Sequence, residues 1–293
     1  MNSDVFEEVL LNGLQEYFPN NDLKLVSGKN DKSFKHYHIY EVSIYPGKYY
    51  DRYNGSNMEE LVQELAISIL HKKASNDFVK SFAMRVVDWD QVKNNLIIRF
   101  ASYEEQNILP ESLPSIKYLN LKAIFNIEDS DGEIGFASIY VTKEIVDVWK
   151  ESQPKVEDPM YLYEVAIKNM KEKNPVRIDS ITSSITGDEF DLEKEQIFVL
   201  SNMDEFYGSS YLLENSVIRD FADKKMANLI ILPVSIHHVI LIPTNMKNND
   251  DLHKWLNLVN KVNKKVERSD ILSKNIYYYE REVNKVNVWE VDD

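Results

Sequence analysis

The run from residue 228 to 244, Asn-Leu-Ile-Ile-Leu-Pro-Val-Ser-Ile-His-His-Val-Ile-Leu-Ile-Pro-Thr, constrains this chain more than any other stretch. Two short segments rich in β-branched and apolar residues flank Pro233, Val234 and Ser235. The spacing predicts strands over 229–232 and 236–242, joined at that turn into a hairpin. A hairpin so apolar has little use for water on either side, so the remainder of the fold is expected to cover it. It also carries the only adjacent histidines, His237 and His238.

Working outward from the hairpin gives an alternation of elements. Toward the N-terminus, residues 196–200 read as a strand and 209–225 as a helix with Leu212, Leu213, Val217, Phe221 and Ala222 in its apolar set. Toward the C-terminus, residues 250–265 read as a helix carrying Leu252, Trp255, Leu256 and Val259, and 275–280 as a strand holding Tyr277, Tyr278 and Tyr279. Further upstream, Val5, Phe6, Val9, Leu10, Leu14 and Tyr17 mark a helix over 4–17 that Ser3 can cap. Alternation predicts one strand over 36–45. A helix is expected from Ser56 to about Lys73, then strands over 82–87, 96–100, 117–127 and 133–142. Asp131-Gly132 supplies hairpin chemistry between the last two. Helices are expected at 143–149 and 160–173, whereas 178–195 is polar and gives no clear pattern.

This order predicts an α+β fold, with mixed, mostly antiparallel sheets packed against helices in two halves. Residues 151–159, with two prolines and several charges, are the natural division between an N-terminal half, 1–153, and a C-terminal half, 160–293. One continuous domain remains open.

Charge and composition narrow the functional classes. Hydrophobic residues make up 43% of the 293, enough for a substantial core. The net charge of -14 opposes a polyanionic partner or an anionic bilayer, so neither nucleic acid nor membrane is expected. The chain has no cysteine, which removes thiol nucleophiles and cysteine-ligated metals. Residues 1–18 hold four carboxylates and no basic residue, unlike a secretory leader, and no apolar run is long enough to span a bilayer. A cytoplasmic location is expected.

Several phrases resemble an uncharacterised domain of low-GC Gram-positive bacteria. They are Ile197-Phe-Val-Leu-Ser-Asn202, Tyr207-Gly208, Leu229-Ile-Ile-Leu-Pro-x-Ser-Ile-His237 and Val239-Ile-Leu-Ile-Pro243, similar to the pattern LTN…GAA…ILPSSIHEVILLP. Val259-Asn260, Val262-Asn263 and Ile276-Tyr-Tyr-Tyr-Glu280 are similar to its closing motifs, and Ser102-Tyr-Glu-Glu-Gln-Asn107 and Trp149 to upstream ones. Val234, His238 and Ser209-Ser210 depart from the pattern. The resemblance implies a shared fold and brings no activity, substrate or cofactor.

Three constellations could carry chemistry. On a strand, Ser235 and His237 would share a face, the arrangement a nucleophile and base require, with His238 opposite. The competing reading is a serine that caps the turn. His36 and His38, two apart on a strand, have a spacing that can chelate a metal, or else belong to a half-buried aromatic strand. Gly208-Ser209-Ser210 opens a helix, either as an anion site or as an ordinary cap. Since no catalytic set assembles, the reading is a non-enzymatic intracellular module that binds or regulates protein, without cofactor or metal. The alternative is a hydrolase centred on Ser235 and His237.

Overall fold

A computed structural model describes residues 2–18, 24–26, 36–40, 42–50, 53, 57–132, 134–180, 196–245 and 249–289. The fold is α+β, with antiparallel strand pairs and helices against them. The chain divides into two compact units. One comprises Met1–Met84 with Asp129–Ala137, the other Arg85–Glu128 with Ser138–Asp293.

In the first unit the helix Ser3–Tyr17 buries Phe6, Leu10 and Leu14. Its cap is Asn2, not Ser3: the Asn2 Oδ1 accepts the Val5 amide at 2.9 Å. Three short strands follow, β1 (Lys24–Val26), β2 (His36–Ile39) and β3 (Val42–Ile44), paired antiparallel in that order. The single strand expected over 36–45 is thus a hairpin. Tyr40 has φ 49°, and Ile39 pairs with Val42. The reversal shifts the alternation, so Ile39, Val42 and Ile44 are the buried set.

The helix Met58–Arg85 extends past Lys73 and absorbs the strand expected at 82–87. Neither glycine nor proline interrupts those residues. A β-branched and aromatic cluster at a helix end looks like a strand to a local reading, but backbone hydrogen bonding propagates through it. Val62, Leu65, Ala66 and Ile69 form the helix's buried stripe against Phe6, Leu10 and Leu14. Ser56, where that helix is expected to begin, lies outside the described residues, as does the polar segment 178–195 beyond its first three residues, which belong to the strand Val176–Ser180.

The second unit holds two sheets. In one, the ten-residue β6 (Leu121–Ser130, of which the last two residues are assigned to the first unit) pairs with β4 (Leu96–Phe100), β5 (Ser115–Tyr118) and β7 (Phe136–Tyr140, of which the first two are so assigned). The strand expected over 117–127 breaks at Leu119, φ 54°, where β5 turns back onto β6. The helix Pro159–Lys173 is tied to β4 by Asn169, whose buried side-chain amide donates to the carbonyls of Lys93 and Leu96 at 2.7 and 2.9 Å. Trp149 donates its indole N–H to the Val86 carbonyl at 2.8 Å and packs on Trp89.

The other sheet has the order β13 (Lys285–Trp289), β12 (Ile276–Glu280), β10 (Asn228–Leu232), β11 (Val239–Thr244), β9 (Phe198–Asn202) and β8 (Val176–Ser180). The apolar run lies at its middle, Leu232 opposite Ile240 and Asn228 opposite Thr244. Both of its faces are buried. Ile230, Leu232, Ile240 and Ile242 pack with Leu252, Trp255, Leu258 and Val259 of the helix Asn249–Asn263. Leu229, Ile231, Val239 and Leu241, no more than 0% exposed, point to the other face. Each such aliphatic side chain removed from water contributes about 2 kcal/mol. That two-sided burial is why the run is apolar without alternation.

Candidate functional site

The phrases Ser201-Asn202, Tyr207-Gly208 and Ser235-x-His237 converge on one loop, residues 203–207. Strand β9 ends at Asn202, whose side chain is buried. Its Oδ1 accepts the Phe206 amide at 3.0 Å and its Nδ2 donates to the Phe206 carbonyl at 2.7 Å. One carboxamide therefore fixes both backbone groups of Phe206. Glu205 and Tyr207, on either side, are left-handed, each with φ 56°. A non-glycine residue there costs roughly 1–2 kcal/mol, and such strain persists only where its surroundings over-determine it.

Gly208 supplies part of that determination. A Cβ at this position would collide with Ser201 Oγ and would meet Ser201 Cα at 2.5 Å and the Asn202 amide nitrogen at 2.7 Å. The chain after the loop thus presses directly onto the backbone of β9. It continues as the 3-10 helix Gly208–Leu213 and then the helix Asn215–Lys225, in place of the single helix expected over 209–225. Ser209 and Ser210 are fully buried, and Ser209 donates to the Ile236 carbonyl at 2.6 Å. The segment is a packing element and not an open helix terminus.

The turn between β10 and β11 meets the loop from the other side. Residues 233–238 do not continue the strand, so the expected one-face arrangement of Ser235 and His237 is replaced by a turn. Ser235 is 3% exposed, and its Oγ accepts the amides of His237 at 3.2 Å and His238 at 2.9 Å. Its own amide donates to the His238 carbonyl at 3.2 Å. This is a serine folded back on the chain two and three residues ahead. Ser201 Oγ donates to the His237 carbonyl at 3.0 Å, which binds the turn to β9.

The imidazole nitrogens of His237 have partners other than Ser235. Nδ1 accepts the Tyr207 amide at 3.1 Å, so that nitrogen carries no proton, and the neutral ring is protonated at Nε2. Nε2 is 3.6 Å from Asp270 Oδ2. Burial holds the imidazole below its ordinary value; Asp270 opposes this and the positive charge of Arg99 adds to it. Phe206 and Tyr207 stack on the ring with centroids at 5.1 and 5.6 Å, and Phe206 lies 4.0 Å from Tyr207. Phe206 remains 42% exposed.

Beyond Tyr207 lies Arg99, from β4. Its guanidinium carbon is 5.1 Å from the Tyr207 ring and 5.3 Å from the Tyr140 ring. It donates two hydrogen bonds to Glu105, at 2.9 and 3.0 Å, a bidentate pair. Tyr140 donates to Glu105 Oε1 at 2.7 Å and accepts from Arg99 at 3.1 Å. Ser102 and Glu105 close a capping box: the Ser102 amide donates to the carboxylate at 2.9 Å, and its Oγ accepts the Glu105 amide at 3.2 Å. Burial alone would raise the Glu105 carboxyl, but Arg99, the Ser102 amide and Tyr140 outweigh it and bring it down to about 2. Glu128 on β6 goes the other way. Burial pushes it up to about 7, against the Ser138 hydroxyl bond and the charge of Arg99.

The result is a continuous series of contacts, Glu105–Arg99–Tyr207–His237–Asp270, with the half-exposed Phe206 ring stacked on its middle, against Tyr207 and His237. Of the residues singled out from sequence, Ser235 and His237 are neighbours, but the Ser235 Oγ serves the backbone amides of His237 and His238, and the imidazole nitrogens serve Tyr207 and Asp270. The His38 Nε2 lies 3.1 Å from Ser43 Oγ, and the side chain of His36 is outside the described residues. Phe206, Arg99 and Asp270 carried no pattern of their own, and Asn202 and Glu105 stood out only as members of the family-like phrases. The Ser102-x-x-Glu105 spacing is a local signal that was missed, and it points to a helix start and not to a partner for Arg99. The model of DUF5688, a family of unknown function, matches residues 20–281, and the chain belongs to that family. No curated protein and no solved structure matches the chain.

Proposed function

We propose that this member of DUF5688 is a non-enzymatic intracellular module that binds protein, with Phe206 as the anchor residue. One observation carries the reading. Phe206 is 42% exposed, yet both of its backbone polar groups are held by the buried Asn202 side chain. An aromatic ring fixed in place before a partner arrives loses little conformational freedom on binding, and rigid aromatic anchors dominate protein interfaces. Met203, 56% exposed, extends the apolar surface beside it. The acidic surface and the 17 tyrosines of the chain suit the same role.

The hydrolase alternative requires a Ser235 oxygen turned toward an imidazole nitrogen. The turn gives that oxygen two backbone amides and gives the His237 nitrogens Tyr207 and Asp270, so this geometry lends the alternative no support.

The test is affinity purification from the host with the parent chain and Phe206→Ala as parallel baits. The parent is expected to recover a reproducible partner, and the variant to lose at least about tenfold of it, the scale of an aromatic anchor, with melting within about 2 °C of the parent. Equal recovery by both baits overturns the assignment to Phe206. No reproducible partner, together with turnover of a small molecule by the purified chain, overturns the binding reading itself.

A further inference from the structure

We infer that His237 is a proton switch for the loop 203–207: protonation of its Nδ1 releases the Tyr207 amide and lets Phe206 leave its stacked position. The inference concerns regulation of the surface proposed above, but its physical basis is independent of any partner.

The Tyr207 amide donates to His237 Nδ1 at 3.1 Å, which requires a lone pair on that nitrogen. The other nitrogen is directed at Asp270, 3.6 Å away. An incoming proton therefore has one vacant position, Nδ1. Once it is occupied, two N–H groups face each other across a distance that previously held a hydrogen bond. The contact becomes repulsive and the loop or the ring must move.

The start of the loop stays tied, the Met203 amide donating to the Pro175 carbonyl at 3.2 Å and the Asp204 amide to Asn174 Oδ1 at 3.1 Å, so the part that yields is its end at Tyr207, whose amide is held by His237. The His237 main chain is held by Ser201 through its carbonyl and by Ser235 through its amide. The loop keeps Glu205 and Tyr207 in left-handed conformations, so releasing it relieves strain. Asn202 alone then holds Phe206, and the stack of Phe206 and Tyr207 on the imidazole is lost.

Every charged group around the ring bears on the midpoint. Asp270, from the 3-10 helix Arg268–Asp270, favours the imidazolium. Arg99, on β4, opposes it, with its charge largely compensated by Glu105. His238 lies beside the ring in the same turn, centroids 6.2 Å apart, and its own surroundings include Glu205 and Arg177. The Tyr207 phenol stays neutral, as burial raises it. Burial disfavours the imidazolium, so the neutral state and the docked loop prevail near neutrality. The switch operates on acidification below the ordinary histidine range of about 6.5.

The experiment uses the full chain without a partner and follows, by NMR, the His237 ring nitrogens and the exchange of the Tyr207 amide from about pH 7.5 to 4.5. At the upper end Nδ1 is expected to show the shift of an unprotonated acceptor. As the ring titrates, exchange of the Tyr207 amide, corrected for its intrinsic pH dependence, is expected to rise by about tenfold or more. His237→Asn places a non-titrating acceptor at the same position along the side chain and is expected to remove that dependence. Asp270→Asn is a second variant that leaves the ring intact, and it is expected to move the midpoint to lower pH. The switch is overturned if the Tyr207 amide stays protected below the ring's titration. It is equally overturned if Asp270→Asn leaves the midpoint unmoved. Because nothing here involves a partner, a failed switch and a failed binding reading are distinguishable.

Discussion

Ser235→Ala separates a structural serine from a nucleophile in one measurement. The parent hydroxyl accepts two amides, from His237 at 3.2 Å and His238 at 2.9 Å, at a site 3% exposed. Each such hydrogen bond is worth about 1 kcal/mol net, and an amide left without an acceptor adds to the loss. His237 and His238 are themselves only half-buried, so water recovers part of it. The expected destabilisation is about 2 kcal/mol. Urea unfolding followed by tryptophan fluorescence reads it directly, because Trp255 and Trp289 are buried in the sheet's core. For a slope of about 2 kcal/mol/M, the midpoint falls by about 1 M. A nucleophilic serine predicts the opposite: unchanged stability and lost turnover. A variant within about 0.5 kcal/mol of the parent refutes the turn assignment.

Three further outcomes are expected. Gly208→Ala drives a methyl into the backbone of Ser201 and Asn202, with no flexible side chain to yield at two of the three contacts. It should cost about 3 kcal/mol in the same unfolding assay, and a neutral result would show that the close approach is not rigid. Glu105→Gln leaves the buried Arg99 charge without its carboxylate and should cost about 3 kcal/mol near pH 7. Since the folded carboxyl sits at about 2, below its usual 4.5, its contribution is full above 4.5 and is lost as pH falls toward 2; the gap to the variant should therefore close over that window in acid unfolding. Glu128 has the reverse sign. Its carboxyl is raised to about 7, so the folded state holds a proton that the unfolded state has released, and parent stability should decline from pH 4.5 to 7. Glu128→Gln should flatten that decline; an unchanged profile would mean the carboxyl is not desolvated.

How much of this was legible beforehand follows from the range of the forces involved. Helix Pro159–Lys173, strand β4, the helix Asn249–Asn263 and the apolar hairpin are all written in local periodicity, because burial of a face or stripe repeats along the chain. Errors came where local pattern and long-range order conflict. The hairpin at Tyr40 and the break at Leu119 are left-handed residues without a glycine to announce them. The helix end at 82–85 has a strand's composition and a helix's hydrogen bonds.

The α+β class, the central apolar run and the family membership were thus determined by the sequence itself, through hydrophobic spacing and a few short phrases. The role of those phrases was decided only by the tertiary structure. Asn202, Gly208, Ser235 and His237 are separated by up to 35 residues, and they act together through hydrogen bonds from side chain to distant backbone. Such bonds have no period, and each depends on where another strand ends. Tertiary packing likewise placed Arg99 against Glu105 and Tyr207, and turned an unremarkable Phe206 into an exposed ring on a fixed support.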